Sequence, residues 1–120
     1  MGPKILWLRR HQPEVFAAAA HVLTSTSYLV MRLTGAIVID HYTAANFGPL
    51  CDLDRQDWAA DRSEGIIDPA RLPRPMWATE IAGRVTDAAA RATGLAEGTP
   101  VNVGTGEGRD LRAEPDPQPG

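Results

Sequence analysis

Two glycines punctuate this chain in a way that leaves few folds open to it. Gly35 closes a helical run, Tyr28-Leu29-Val30-Met31-Arg32-Leu33-Thr34, at the left-handed position that glycine adopts without strain. Gly94 does the same for an alanine-rich helix, Asp87–Thr93, with Thr86 as its cap and Leu95 as the apolar residue beyond. Each stop is followed by a short strand signal, Ile37-Val38-Ile39 in one case and Val101-Asn102-Val103 in the other. A helix that hands over to a short strand, twice, predicts an α/β fold. The 10 prolines among 120 residues keep the remaining elements short.

Pro3 stands at the start of a first short helix with Ile5, Leu6, Trp7 and Leu8, and Pro13 restarts a second through the four alanines 17–20. Val22-Leu23-Thr24 has the makings of a brief strand, and Ser25 or Ser27 can cap the helix that follows. Residues 40–53 read as loop. Asp54 can cap a helix running through Trp58 and Ala60. Pro69, Pro73 and Pro75 make residues 68–76 irregular, and residues 81–85 read as extended. Beyond Gly108 the apolar pattern stops, and the proline-rich residues 109–120 are expected to form a disordered tail.

A net charge of −3 gives no general attraction to nucleic acid or to an anionic membrane. No apolar run approaches a membrane span. A single cysteine, Cys51, cannot form an internal disulfide, which suits a reducing, cytoplasmic setting. His11, His21 and His41 lack the spacing and the cysteine companions of a metal site. The alternating glycines of Gly104-Thr105-Gly106-Glu107-Gly108 lack the Lys-Ser/Thr of a phosphate-binding P-loop.

Several short words, taken in order, carry more than any one of them. They are the run from Tyr28 to Gly35, then Asp40, Asp57-Trp58, Ile81-Ala82-Gly83-Arg84-Val85-Thr86, and Thr93-Gly94-Leu95-Ala96-Glu97-Gly98-Thr99-Pro100-Val101. Together they resemble a continuous stretch, from about Pro3 to Thr105, of the first domain of FGGY carbohydrate kinases of the xylulose kinase-like kind. The resemblance implies an actin-like, ribonuclease-H-like domain, here residues 1–108 with an incomplete sheet. It implies ATP and Mg²⁺ as the family's cofactors. It also implies phosphoryl transfer to a hydroxyl of a sugar or polyol, with a pentulose such as xylulose foremost.

Two residues inherit roles from that resemblance. Glu107 stands where the family has the aspartate that accepts the proton of the attacking sugar hydroxyl. The additional methylene moves its carboxylate by about 1.5 Å, and a displacement of about 1 Å can cost on the order of a hundredfold in rate. On the residues alone, Glu107 reads as a solvated loop carboxylate. Asp40, with His41, Tyr42 and Thr43 after it, stands near the sugar pocket wall in the family. On the residues alone it reads as a carboxylate tying down the turn that follows.

Family members carry an Asp-x-Gly-Thr phosphate loop ahead of this stretch and a second domain after it. Neither is written in these 120 residues. The chain by itself is therefore expected to bind no ATP or Mg²⁺ and to be inactive, with the strand at Val101 and Val103 short of sheet neighbours. The alternative to a kinase piece is a non-catalytic interaction or complementation module, associating with a kinase partner chain through its apolar helix faces.

Overall fold

Each helix that ends at one of the two glycine stops is followed by a strand, as the sequence predicts. The computed structural model describes residues 1–106. The order is α1 (Gly2–His11), α2 (Pro13–Ala18), α3 (Ser25–Thr34), β1 (Val38–Asp40), α4 (His41–Ala45), β2 (Cys51–Asp52), β3 (Asp57–Trp58) and α5 (Ala60–Ser63). It continues with β4 (Arg74–Met76), β5 (Ile81–Arg84), α6 (Asp87–Thr93) and β6 (Pro100–Asn102). Single 3₁₀ turns occupy Gly48–Leu50 and Pro69–Arg71. Glu107 and the expected tail, residues 109–120, lie outside the described residues.

Three two-stranded sheets result among the described residues. β1 runs parallel to β4, with Asp40 opposite Met76. β2 and β3 form an antiparallel hairpin. β5 pairs antiparallel with β6 around an irregularity between Ile81 and Gly83. A parallel pair needs a long crossover, and here α4, the hairpin and α5 all lie between β1 and β4. Those intervening elements fold onto one face of the pair. Ile39, Phe47, Leu50, Ile67 and Leu72 are buried together there with Ile5 of α1. On the other side Val30 of α3 and Val38 meet Val103.

Both glycine stops take the left-handed form, Gly35 at φ 82° and Gly94 at φ 79°. Thr86 caps α6, accepting from the Ala89 amide. Gly83 is required for a different reason. A Cβ there would lie 2.9 Å from the Thr34 Cβ, so its absence lets β5 approach the end of α3.

Five expectations are corrected. Thr24, not Ser25 or Ser27, caps α3, because its hydroxyl accepts from the Ser27 amide at 3.3 Å. That use of Thr24 leaves residues 22–24 without a strand, and the Val22 amide instead donates to the Arg71 carbonyl. The helix expected from Asp54 is a hairpin. Asp52 Oδ1 accepts from the amides of Asp54 and Arg55, which closes a tight turn before Asp57 can enter a helix. Trp58 then sits on β3, its Nε1 donating to the Pro73 carbonyl at 2.7 Å. Residues 40–53 hold helix α4, capped by Asp40, and a 3₁₀ turn. Finally, residues 68–76 are not irregular throughout, since Arg74–Met76 form β4 and pair in parallel with β1.

Arg71 joins the amino-terminal helices to the rest. Its guanidinium stacks 4.3 Å from the centroid of the Phe16 ring and donates to the carbonyl of the same residue. No helix among the described residues is long and apolar enough to cross a membrane.

Candidate functional site

The parallel register of β1 and β4 decides what stands at their carboxyl-terminal ends, the edge where open α/β sheets bind ligands. Asp40 ends β1 and Met76 ends β4, side by side. The residues that follow, His41 and Trp77, therefore emerge together. Their rings meet edge to face with centroids 4.5 Å apart.

Asp40 is 4% exposed and has two bonds on one oxygen. Its Oδ2 accepts from the Thr43 amide at 3.0 Å, which caps α4, and from the Thr105 hydroxyl at 2.9 Å. Thr43 continues the chain of bonds, its Oγ1 accepting from the Gly106 amide at 3.3 Å. A Cβ on Gly106 would lie 3.4 Å from that same oxygen, so a bare backbone suits this approach. Gly104 turns the chain here at φ 72°, and its amide donates to the Ala78 carbonyl. The glycine turn after β6 is thus bonded to β1 and α4 on one side and to the loop after β4 on the other.

Beside this network lies a cavity of about 250 Å³ lined by Asp40, His41, Tyr42, Gln56, Trp77 and Ala78. The other sequence candidates are elsewhere. Cys51 is buried in the core, where burial first, then the nearby Asp52 and Asp57, push its thiol pKa up, away from nucleophilic use. His11 stacks on Trp7 of its own helix, and His21 lines a separate groove with Tyr28 and Met31. Among the described residues, no group of three His, Cys, Asp or Glu side chains could hold a metal ion.

Asp40 thus takes the turn-tying role, with a second and long-range bond from Thr105 that no local pattern announces. Trp77 and Gln56 went unsingled in the sequence. Trp77 follows a proline-broken stretch, and only the pairing of β4 with β1 brings it to Asp40.

An α/β domain with a buried carboxylate at a parallel strand end, bonded to a glycine turn, has the layout of a small-ligand site. Residues 1–109 match the FGGY family of carbohydrate kinases, N-terminal domain, and the chain belongs to that family. It is 34% identical over 110 residues to the autoinducer-2 kinase of Klebsiella pneumoniae, covering 88% of this chain and 20% of that protein. It is 33% identical over 107 residues to the xylulose kinase of Escherichia coli, covering 88% and 22%. The crystal structure of xylulose kinase from Rhodospirillum rubrum superposes with a TM-score of 0.78 at 38% identity, over 86% of this chain and 21% of that one. The chain spans about a fifth of the length of these relatives.

Proposed function

We propose that this chain supplies the sugar-side part of an ATP-dependent kinase that phosphorylates a hydroxyl of a sugar or polyol, a pentulose such as xylulose being the first choice. In this reading the partial domain is residues 1–108, residues 109–120 are a tail, and the setting is cytoplasmic. The observation that carries it is the bonded chain Asp40–Thr105 and Thr43–Gly106, which ties the glycine turn leading to Glu107 against the end of β1.

Glu107 is assigned the base. The sugar hydroxyl oxygen attacks the γ-phosphorus, its proton passes to the Glu107 carboxylate, the bond from phosphorus to the bridging oxygen breaks, and ADP leaves. Mg²⁺ supplies charge neutralisation in such transfers. No step is assigned to it on the described residues. Asp40 contributes to the pocket wall and holds the turn.

The test is a coupled assay of ADP release by the 120-residue chain with Mg-ATP and D-xylulose, against Glu107→Ala. No turnover above the control is expected from these residues alone, together with saturable binding of D-xylulose by NMR. Turnover above the control overturns the expected inactivity, and absence of sugar binding overturns the sugar-side reading. A second reading, association with a kinase partner chain, is favoured by the exposed Tyr28 and Leu29 on α3 and by Trp7 on α1. A purely monomeric profile on sizing, with and without a full-length relative, removes it.

A further inference from the structure

Trp77 is an exposed tryptophan with a fixed backbone, and the kinase reading as stated gives it no task. Trp77 is 54% exposed, while its backbone and that of Ala78 are hydrogen-bonded. The Trp77 amide donates to Glu80 Oε2 at 2.6 Å, and the Glu80 amide returns a bond to the Trp77 carbonyl. The next residue, Ala78, accepts from the Gly104 amide and from Asn102 Nδ2. A large apolar ring on a rigid turn, open to water, is an arrangement the core does not need.

The ring stands where it meets chemistry. The β1–β4 register sets it against His41, and both border the 250 Å³ cavity with Asp40. Asp40 is more than nine-tenths buried, and both of its bonds fall on Oδ2. Among the described residues no donor is bonded to Oδ1, which leaves an acceptor for a ligand hydroxyl. Gln56, at the tip of the β2–β3 hairpin and at φ 53°, adds an amide that both donates and accepts. At about 250 Å³ the cavity has space for a small polyol. An aromatic face beside hydroxyl-seeking groups fits a molecule whose one side is C–H and whose rim is O–H.

We propose that Trp77, backed by His41, is a specificity-determining platform for a small polyhydroxylated ligand. The C–H face of the ligand lies on the indole, and its hydroxyls reach Asp40 Oδ1 and Gln56. This deepens the sugar-side reading above and rests on it. It predicts a preference for polyols long enough to reach both the ring and the carboxylate, so a five-carbon chain binds better than glycerol.

The test is a proton–nitrogen NMR titration of the full chain with D-xylulose, xylitol and glycerol. The chain has three tryptophans, Trp7, Trp58 and Trp77, whose indole N–H signals report separately. Saturable shifts are expected at the Trp77 indole and at the amides of Asp40 and Ala78, with the Trp7 and Trp58 indoles still. Trp77→Ala is expected to weaken binding about tenfold, as removal of a covered apolar face should, and Trp77→Phe to retain most of it. Because Trp77 lies outside the buried clusters, both variants should keep a dispersed spectrum. If sugar shifts the Asp40 and Gly106 amides equally well in Trp77→Ala, the platform is wrong and the sugar-side reading stands. If no signal of the folded chain responds to any of the three probes, both fall together.

Discussion

Replacing Asp40 by alanine removes two bonds that converge on a single buried oxygen. One is the amino-terminal cap of α4, from the Thr43 amide at 3.0 Å, and such caps contribute about 1 kcal/mol. The other comes from the Thr105 hydroxyl at 2.9 Å, and a hydrogen bond to a charged group contributes roughly 1.5–3 kcal/mol. At 4% exposure Asp40 is little screened by solvent, so neither figure needs a large discount. Together they give a loss of about 3 kcal/mol, a large share of the roughly 5–15 kcal/mol that holds a domain of this size. Asp40→Asn should behave differently. Its carbonyl oxygen can occupy the Oδ2 position and accept both bonds without the charge, so the loss should be about 1 kcal/mol. The assay is urea unfolding followed by circular dichroism, combined with hydrogen exchange at the Gly106 amide, whose partner Thr43 is ordered by the same cap. Exchange at Gly106 should accelerate in Asp40→Ala before the core unfolds. A loss below about 0.5 kcal/mol, or equal losses in the alanine and asparagine variants, would refute the two-bond argument.

Other expectations follow from single contacts. Gly83→Ala puts a Cβ 2.9 Å from the Thr34 Cβ and should destabilise by about 1–3 kcal/mol, read from the urea midpoint. The Cys51 thiol should react with iodoacetamide at least roughly tenfold slower than free cysteine at pH 8 and at the ordinary rate in denaturant, since it is buried and its pKa is raised. Asp52 has its pKa lowered, chiefly by the Arg55 backbone amide, so its contribution to stability is present above the ordinary carboxylate value of 3.8 and is lost as pH falls through the lower folded value. Asp52→Asn should therefore flatten the acid limb of a stability–pH profile measured from pH 5 downward, and an unchanged limb would count against the hairpin-turn bonds.

What could be read from residues alone was local. Gly35 and Gly94 require positive φ wherever the chain goes, and Thr86 sits three residues before an amide it can cap, so those helix ends were legible without a fold. The order of the short words was enough for the family, because descent preserves spacing even where single words are weak. The hairpin at Asp52 was missed because carboxylates cap helices and close turns with the same bonds, and only the pairing of Cys51 with Trp58 chooses between them. Asp40 was legible as a turn-tying carboxylate. Its bond to Thr105, 65 residues on, was not. Trp77 was illegible altogether, since its meaning comes from the register that sets β4 beside β1. Backbone preference is a property of a few neighbouring residues and is written in the sequence. Which distant side chains share a cavity depends on how buried faces satisfy one another, and the tertiary structure alone decides that.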